Sequence, residues 1–287
     1  MRERAQNFDP RQEMAVQSYE IFHYRDASLD SVAVHHHDFY EVYFFLSGNV
    51  EYCVEGRNYR LEPGDLLLIS PLELHQPRVS PDREPYERIV LWLNPAFLSS
   101  FSTQDASLTR CFDMSLPTHT NLLRLTPPQR ANVLSELGAL VRESYGDAYA
   151  GKVAATGILL QFLVELNRLA LECQPKYETL DRSAPMMAQV LDYINQHYGD
   201  ELSLDALAAK FFVSKYHLSH EFNRLVGTSV YRYIILKRLI IAKQMLSGGV
   251  PPTDVYRNCG FKDYANFYRT FKAEYGVSPK QFASSSR

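Results

Sequence analysis

The sequence predicts an α+β chain in two parts: a β-barrel with a helical segment behind it, then an all-α domain. Three observations carry this. The chain has 287 residues, and at about 150 residues per domain that length makes two domains. Residues 39–93 break into short apolar or alternating runs cut by Gly, Pro and Asn, the texture of a small barrel or sandwich. Beyond residue 126 the apolar period becomes helical.

Hydrophobic content of 46% and charged content of 22% suit a soluble globular protein. The N-terminus, MRERAQNFDPRQEM, has no apolar core, and no run of about 18 apolar residues occurs, so neither a secretory signal nor a membrane span is expected. Cys53, Cys111, Cys173 and Cys259 are scattered without a CxxC pair, which argues against a disulfide framework or a zinc finger. A cytoplasmic location is expected. Charge is uneven along the chain. Residues 186–287 hold 13 Lys and Arg against 8 Asp and Glu, a net +5, while residues 1–185 hold 17 against 25, a net -8. A basic C-terminal third suits a polyanionic partner, although charge alone fits a chance surface imbalance as well.

The predicted strands are FYEVYFFL, VEYCV, YRL, DLLLI and RIVLWL, with the turns SGN, EGRN, EPG and SP between the first four and beyond the fourth. Thr126 and Gln129 then fit a capping box, with Pro127 and Pro128 in the first turn and Leu134, Leu137 and Val141 on one face. A second helix, 153–171, carries Leu159, Leu163, Leu166 and Ala170 on one stripe and Ile158, Phe162 and Leu169 off it. So broad an apolar surface fits burial against both the barrel and a second subunit, or burial wholly within its own domain. ECQPKYETLDRSAP reads as a linker. The expected organisation is 1–171 sensing and dimerisation, 172–186 linker, and 187–287 helical.

The last part is the most specific. Ser203 caps a helix with Leu204, Leu207, Ala208 and Phe211 on one face. Ser214 caps a second with Leu218, Phe222 and Leu225, ended by Gly227. This is a helix-turn-helix unit. A long helix follows with Ile235, Leu239, Ala242 and Leu246 on a stripe. A weaker copy of the unit comes next: TDVYRNCGF closed by Gly260, then a helix capped by Asp263 with Phe267 and Phe271, ended by Gly276. Two such units joined by one rigid helix suit adjacent major grooves of duplex DNA, about 34 Å apart on one face.

LSLDALAAKFFVSKYHLSHEFNRLVG, KRLIIAKQML and GFKDYANFYRTFKAEYGVSP resemble the DNA-binding domain of the AraC/XylS family of bacterial transcription regulators. Residues 35–79 resemble the cupin-like sensor domain often fused in front of it. The resemblance implies that Lys215, Tyr216, Ser219 and His220 face base edges in the first unit, with Arg224 nearer the backbone. In the second unit it implies Tyr264, Ala265, Asn266 and Arg269. Arg269 is the foremost candidate, because a guanidinium can bridge guanine O6 and N7. Lys262, Lys272 and Arg238 are placed for phosphates. For each the plain alternative is a solvated surface charge. The second unit departs from the family at PTDVY, where Tyr256 stands in place of a small alanine, so the tyrosine points outward or the unit is tilted.

HHHDFYE, residues 35–41, is the other concentration of chemistry. His35, His37 and Glu41 share parity, so an extended chain turns them to one face. His35, His37, Glu41 and Gly48 match the cupin metal pattern H-x-H-x3-E-x6-G. Gly64 and His75 fit the second cupin pattern, except that Leu72 replaces its inner glycine and its proline is displaced to Pro71. By spacing this set suits Fe, Mn, Ni or Zn. The family resemblance instead implies a pocket for a small polar effector, such as a sugar, with Tyr43 and Trp92 as an apolar wall. The polar pocket ranks first, with no cofactor and no metal; metal-assisted ligand binding ranks second, and a structural role at the barrel mouth third.

The reading is a DNA-binding transcription regulator, not an enzyme. It is expected to be a homodimer with a small-molecule effector and no membrane partner, and RNA polymerase is a further partner the reading allows. The rivals are a metal-dependent cupin enzyme tethered to DNA, a metal-assisted sensor, and an architectural DNA binder with a vestigial barrel.

Overall fold

The computed structural model describes residues 13–27, 29, 32–80, 85–103, 105–116, 119–172 and 184–285. The chain divides into two compact units, 1–178 and 179–287. The linker expected at 172–186, and with it Cys173, lies almost wholly outside the described residues.

Unit one contains two antiparallel sheets. The larger has the order β1-β7-β2-β5-β8, and the smaller β4-β3-β6. Their strands are β1 (Tyr19–Asp26), β2 (Tyr40–Ser47), β3 (Val50–Val54), β4 (Arg57–Arg60), β5 (Leu66–Ile69), β6 (His75–Val79), β7 (Tyr86–Leu93) and β8 (Leu122–Leu123). The runs FYEVYFFL and RIVLWL hardly alternate, because both faces of the large sheet are covered. From β2, β5 and β7, Val42, Phe44, Leu66, Leu68, Ile89, Leu91 and Leu93 face one core. Their neighbours Tyr43, Phe45, Leu67, Ile69, Val90 and Trp92 face a second core, shared with Val50, Tyr52 and Val54 of the small sheet.

The first of these cores is closed by helices. These are α1 (Pro95–Phe101), α2 (Pro127–Tyr145) and α3 (Gly151–Glu172). Asn94 caps α1 by accepting from the N–H groups of Ala96 and Phe97. At the start of α2, Gln129 Oε1 accepts from the Thr126 N–H at 2.9 Å and from its hydroxyl at 2.7 Å. In α3, Phe162 and Leu169 are buried in the same core as Leu159, Leu163 and Leu166. The broad apolar surface of this helix is therefore mostly absorbed inside its own unit, with Val153, Val164 and Leu171 left exposed. α3 is also long and apolar enough to cross a membrane, with 33% of that stretch buried inside the structure.

Strand β1 falls outside the strands predicted from the sequence. Its side chains YEIFHYRD bury only Ile21 and Tyr24, three residues apart, because it is an edge strand paired to β7 alone. A period of two never develops there.

Unit two is helical: α4 (Ala184–Gln196), α5 (Leu204–Lys210), α6 (Lys215–Val226), α7 (Val230–Ser247), α8 (Pro252–Asn258), α9 (Tyr264–Tyr275) and α10 (Pro279–Ser285). The hydroxyls of Ser203, Ser214 and Ser229 accept from the N–H groups of Ala206, His217 and Arg232, and Asp263 accepts from Asn266. Ser278 and Gln281 make a reciprocal box at α10, with contacts of 3.0 and 3.3 Å. Each cap satisfies N–H groups that the helix itself cannot.

α7 is buried on two sides. Ile235, Leu239, Ala242 and Leu246 pack with Val255, Cys259, Phe261, Phe267 and Phe271 of the second helix-turn-helix unit. On its other side Tyr233 meets Phe222 of the first unit edge-on at 5.5 Å. Gly260 is required by contact: it has φ +77, and a Cβ there would stand 2.6 Å from the Gly199 carbonyl oxygen. Tyr256 does not wedge the second unit open. Val255 of α8 and Cys259, which caps it, take the fully buried positions, and Tyr256 lies half-buried at the core edge, crossing Tyr264 at 5.8 Å.

Candidate effector and nucleic-acid sites

In unit one the structure brings together His35, His37, Glu41 and His75. An isolated antiparallel bridge stitches His35 to His75, with N–H to carbonyl distances of 3.1 and 2.9 Å. Their rings lie 4.3 Å apart, and His75 lies 4.8 Å from His37. Glu41, on β2 opposite Trp92 of β7, places Oε2 at 3.1 Å from His37 Nε2 and accepts the Trp92 indole N–H at 3.1 Å. Donor atoms of His37, Glu41 and His75 all lie within 4.8 Å of one another, so these three could hold a metal ion.

Each ring is held from behind. Nδ1 of His35, His37 and His75 sits 2.8, 2.8 and 2.9 Å from the backbone carbonyls of Ala33, Phe39 and Glu73. Burial lowers the pKa of His35 to about 4 and that of His75 well below the ordinary value, against the carbonyls that raise them. Both rings are neutral near pH 7.

Tyr43 and Trp92 are both buried in the interior of unit one. Tyr43 is buried, paired to the Tyr86 hydroxyl and packed on Tyr52 at 5.1 Å. Trp92 is 5% exposed and wedged against Phe22 and Phe39 at 4.7 and 4.6 Å. Both face inward because they share the parity of Glu41 on paired strands, and aromatic side chains fill that interior. The sequence reading missed Phe39, stacked on His37 at 3.9 Å, and Tyr52, nearly parallel to His75 at 6.2 Å. Parity within VEYCV was the available signal for Tyr52. Burial, then the charge of Glu41, holds the Tyr52 hydroxyl well above its ordinary pKa.

In unit two, α6 and α9 each bury one face and expose the other. Leu218, Phe222, Phe267 and Phe271 are fully buried. Lys215, Tyr216, Ser219, His220, Arg224, Ala265, Arg269 and Lys272 are exposed, and Asn266 is half-exposed. Tyr216 stacks on His220 at 6.1 Å. Lys215 pairs with Asp205, Arg224 with Glu221 and Lys262 with Glu201, all at the surface, where such pairs are worth about 0–1 kcal/mol and exchange readily. Arg269 and Lys272 have no ion-pair partner among the described residues. Tyr264 is half-buried against Tyr256 and Phe267, so its ring serves the core edge.

Arg238 has a structural duty that the sequence did not show. Its Nε donates to the Tyr198 carbonyl at 2.8 Å and an Nη to the Asp200 carbonyl at 2.7 Å. The guanidinium ties α7 to the turn before α5. Phe212 was not anticipated: it is 95% exposed and holds φ +55 in the turn before α6.

A capped helix-turn-helix pair preceded by a two-sheet β unit with a buried polar cluster fits a ligand-responsive DNA-binding regulator. Residues 207–285 match a helix-turn-helix domain model, and residues 18–163, about half the chain, match the AraC-like ligand binding domain. The chain belongs to the AraC family and is a transcription regulator with an N-terminal ligand-binding domain. It is similar to the HTH-type transcriptional activator RhaS of Escherichia coli O139:H28 (strain E24377A / ETEC), 25% identical over 255 residues, covering 86% of this chain and 85% of that one. RhaS of Shigella sonnei (strain Ss046) matches to the same extent. Among solved structures, unsaturated-fatty-acid-bound ToxT of Vibrio cholerae is 14% identical, covering 95% of this chain and 97% of that one, with a TM-score of 0.39. The C-terminal domain of AraT from Geobacillus stearothermophilus is 25% identical, covering 37% of this chain and 88% of that one, with a TM-score of 0.35.

Proposed function

We propose that the chain is a cytoplasmic, homodimeric transcription activator whose affinity for its operator is set by a small polar effector at the His35–His37–Glu41–His75 cluster. The carrying observation is that buried Nε2 atoms of His35 and His75 lack any hydrogen-bond partner among the described residues in a unit that matches a ligand-binding domain. Buried polar atoms are normally satisfied, and a sugar or a related polyoxygenated metabolite satisfies several at once. The sign of regulation follows the activator role of RhaS, and an activator has RNA polymerase as a further partner. The reading is of a binding protein and assigns no catalytic step.

On the DNA side, Lys215, Tyr216, Ser219 and His220 read bases from α6, and Asn266 and Arg269 read them from α9. Arg224, Lys262 and Lys272 hold phosphates. The subunits meet through α3, where Val153, Val164 and Leu171 are exposed and, at 100° per residue, lie within about 20° of one another around the helix. Effector control requires a difference in effector affinity between the two DNA-binding states.

The test is operator affinity of the full chain, by fluorescence anisotropy, against a set of monosaccharides and hydroxy acids pre-sorted by thermal shift. A compound that stabilises the protein and moves operator affinity by about 5–150-fold, in the wild type but not in His75→Ala, is the expected result. Stabilising compounds that act equally on His75→Ala contradict the assignment of the site.

A further inference from the structure

We propose that Phe212 reads DNA: its ring takes the C5-methyl group of a thymine at the edge of the major groove that α6 enters. This rests on the reading of α6 as the base-contacting helix of the first unit.

Phe212 stands where the chain's own second unit uses glycine. Phe211 caps the end of α5 and Cys259 that of α8, with φ of -96 and -91. The next residue is Phe212 in the first unit, φ +55, and Gly260 in the second, φ +77. The hydrogen bonds of the two turns match. Phe212 and Gly260 donate to the carbonyls of Ala209 and Arg257, and Val213 and Phe261 donate to those of Ala208 and Tyr256. A left-handed backbone suits glycine and strains any residue with a Cβ. Burial does not offset that strain, because the ring is almost wholly exposed. Strain of this kind collects at functional sites.

Position and charge point to DNA as the partner. Phe212 lies two residues before Ser214, the N-cap of α6, whose first turn carries exposed Lys215 and Tyr216. When such a unit docks, the second helix puts its N-terminal residues on base edges and the first crosses the backbone. The turn between them then lies at the edge of the groove. The nearest charged residues along the chain are Lys210 and Lys215, both exposed, and cations suit a polyanion rather than an apolar protein surface. The chemistry of the ring selects the atom. A phenyl group has no hydrogen bond to offer, and the apolar group that a base pair presents in the major groove is the thymine C5-methyl. Gly260 has no side chain to do the same and packs against Gly199, so Phe212 gives the first unit a readout that the second lacks.

Full-length protein is titrated by anisotropy on a duplex selected from a random pool, on copies in which uracil replaces each thymine in turn, and on a scrambled duplex. Uracil keeps the hydrogen-bonding edge and removes only the methyl group. Wild type should bind about 4-fold more weakly when one thymine at the end of the α6 half-site becomes uracil, which is the effect of exposing one buried carbon group. Phe212→Gly and Phe212→Asn suit the left-handed region better than phenylalanine does, so both should fold. They should weaken operator binding by at least about 4-fold, lose the thymine–uracil difference at that position alone, and bind scrambled DNA as wild type does. Variants that bind the operator as wild type, or that keep that difference, overturn the proposal. Equal weakening on operator and scrambled DNA puts the ring on the sugar-phosphate backbone and overturns it too. A wild type that does not distinguish operator from scrambled DNA overturns the reading of α6 along with it. A discriminating wild type with indifferent variants overturns the role of Phe212 alone.

Discussion

His35 and His75 are bridge partners: each donates its backbone N–H to the other's carbonyl, and their rings meet at 4.3 Å. Two short histidine motifs, one before β2 and one opening β6, thus become one site. The bridge fixes backbone position, the carbonyls of Ala33 and Glu73 fix ring orientation, and neither depends on a bound ligand.

Arg269→Ala should cost about 1–3 kcal/mol on a specific site and relax one base preference, whereas Lys272→Ala should weaken specific and random DNA alike and lower the salt slope by about one. Anisotropy on matched and mutated duplexes at several salt concentrations separates them. Unchanged specificity in Arg269→Ala would remove α9 from base reading.

Arg238→Ala should cost stability first. It removes two hydrogen bonds, of which the part-buried one to the Tyr198 carbonyl costs more, up to about 1–3 kcal/mol, while water can replace the exposed one to the Asp200 carbonyl. Arg238→Lys should rescue little, because an ammonium cannot span both carbonyls as the planar fork does. Urea melts of the full chain measure this; a wild-type midpoint with weakened DNA binding would restore the phosphate role.

Phe212→Gly should stabilise the chain by about 1–2 kcal/mol. The residue holds φ +55 with 95% of its surface exposed, so glycine relieves left-handed strain and forfeits little burial. A lowered melting temperature would show that the ring is held by contacts that exposure does not register.

Val164→Glu, on the exposed line of α3, should convert a sedimenting dimer to a monomer with little change in secondary structure. A wild-type protein that is monomeric at high micromolar concentration would return α3 to its role within unit one.

The helix-turn-helix units were legible because their signals are local. Ser203, Ser214 and Asp263 lie beside the N–H groups they cap, and Gly227 and Gly276 close their helices with φ +79 and +73. The barrel was legible as texture, yet β1 was not, since its pattern is set by distant β7. The histidine cluster could be read from parity and spacing. The duty of Arg238 could not, because its partners lie 40 and 38 residues away in sequence. Parity put Tyr43 and Trp92 on the same inward face as Glu41, whereas the aromatic rings packed around them come from both sheets and could not be read from local pattern.

The central claim is that the tandem units read a specific operator. The direct measurement is affinity of the full-length protein for a duplex selected from a random pool, against a scrambled duplex, at physiological salt. The account predicts at least about 1,000-fold preference, with hydroxyl-radical protection over two adjacent major grooves on one face for each subunit. Equal affinity for the two duplexes would contradict it.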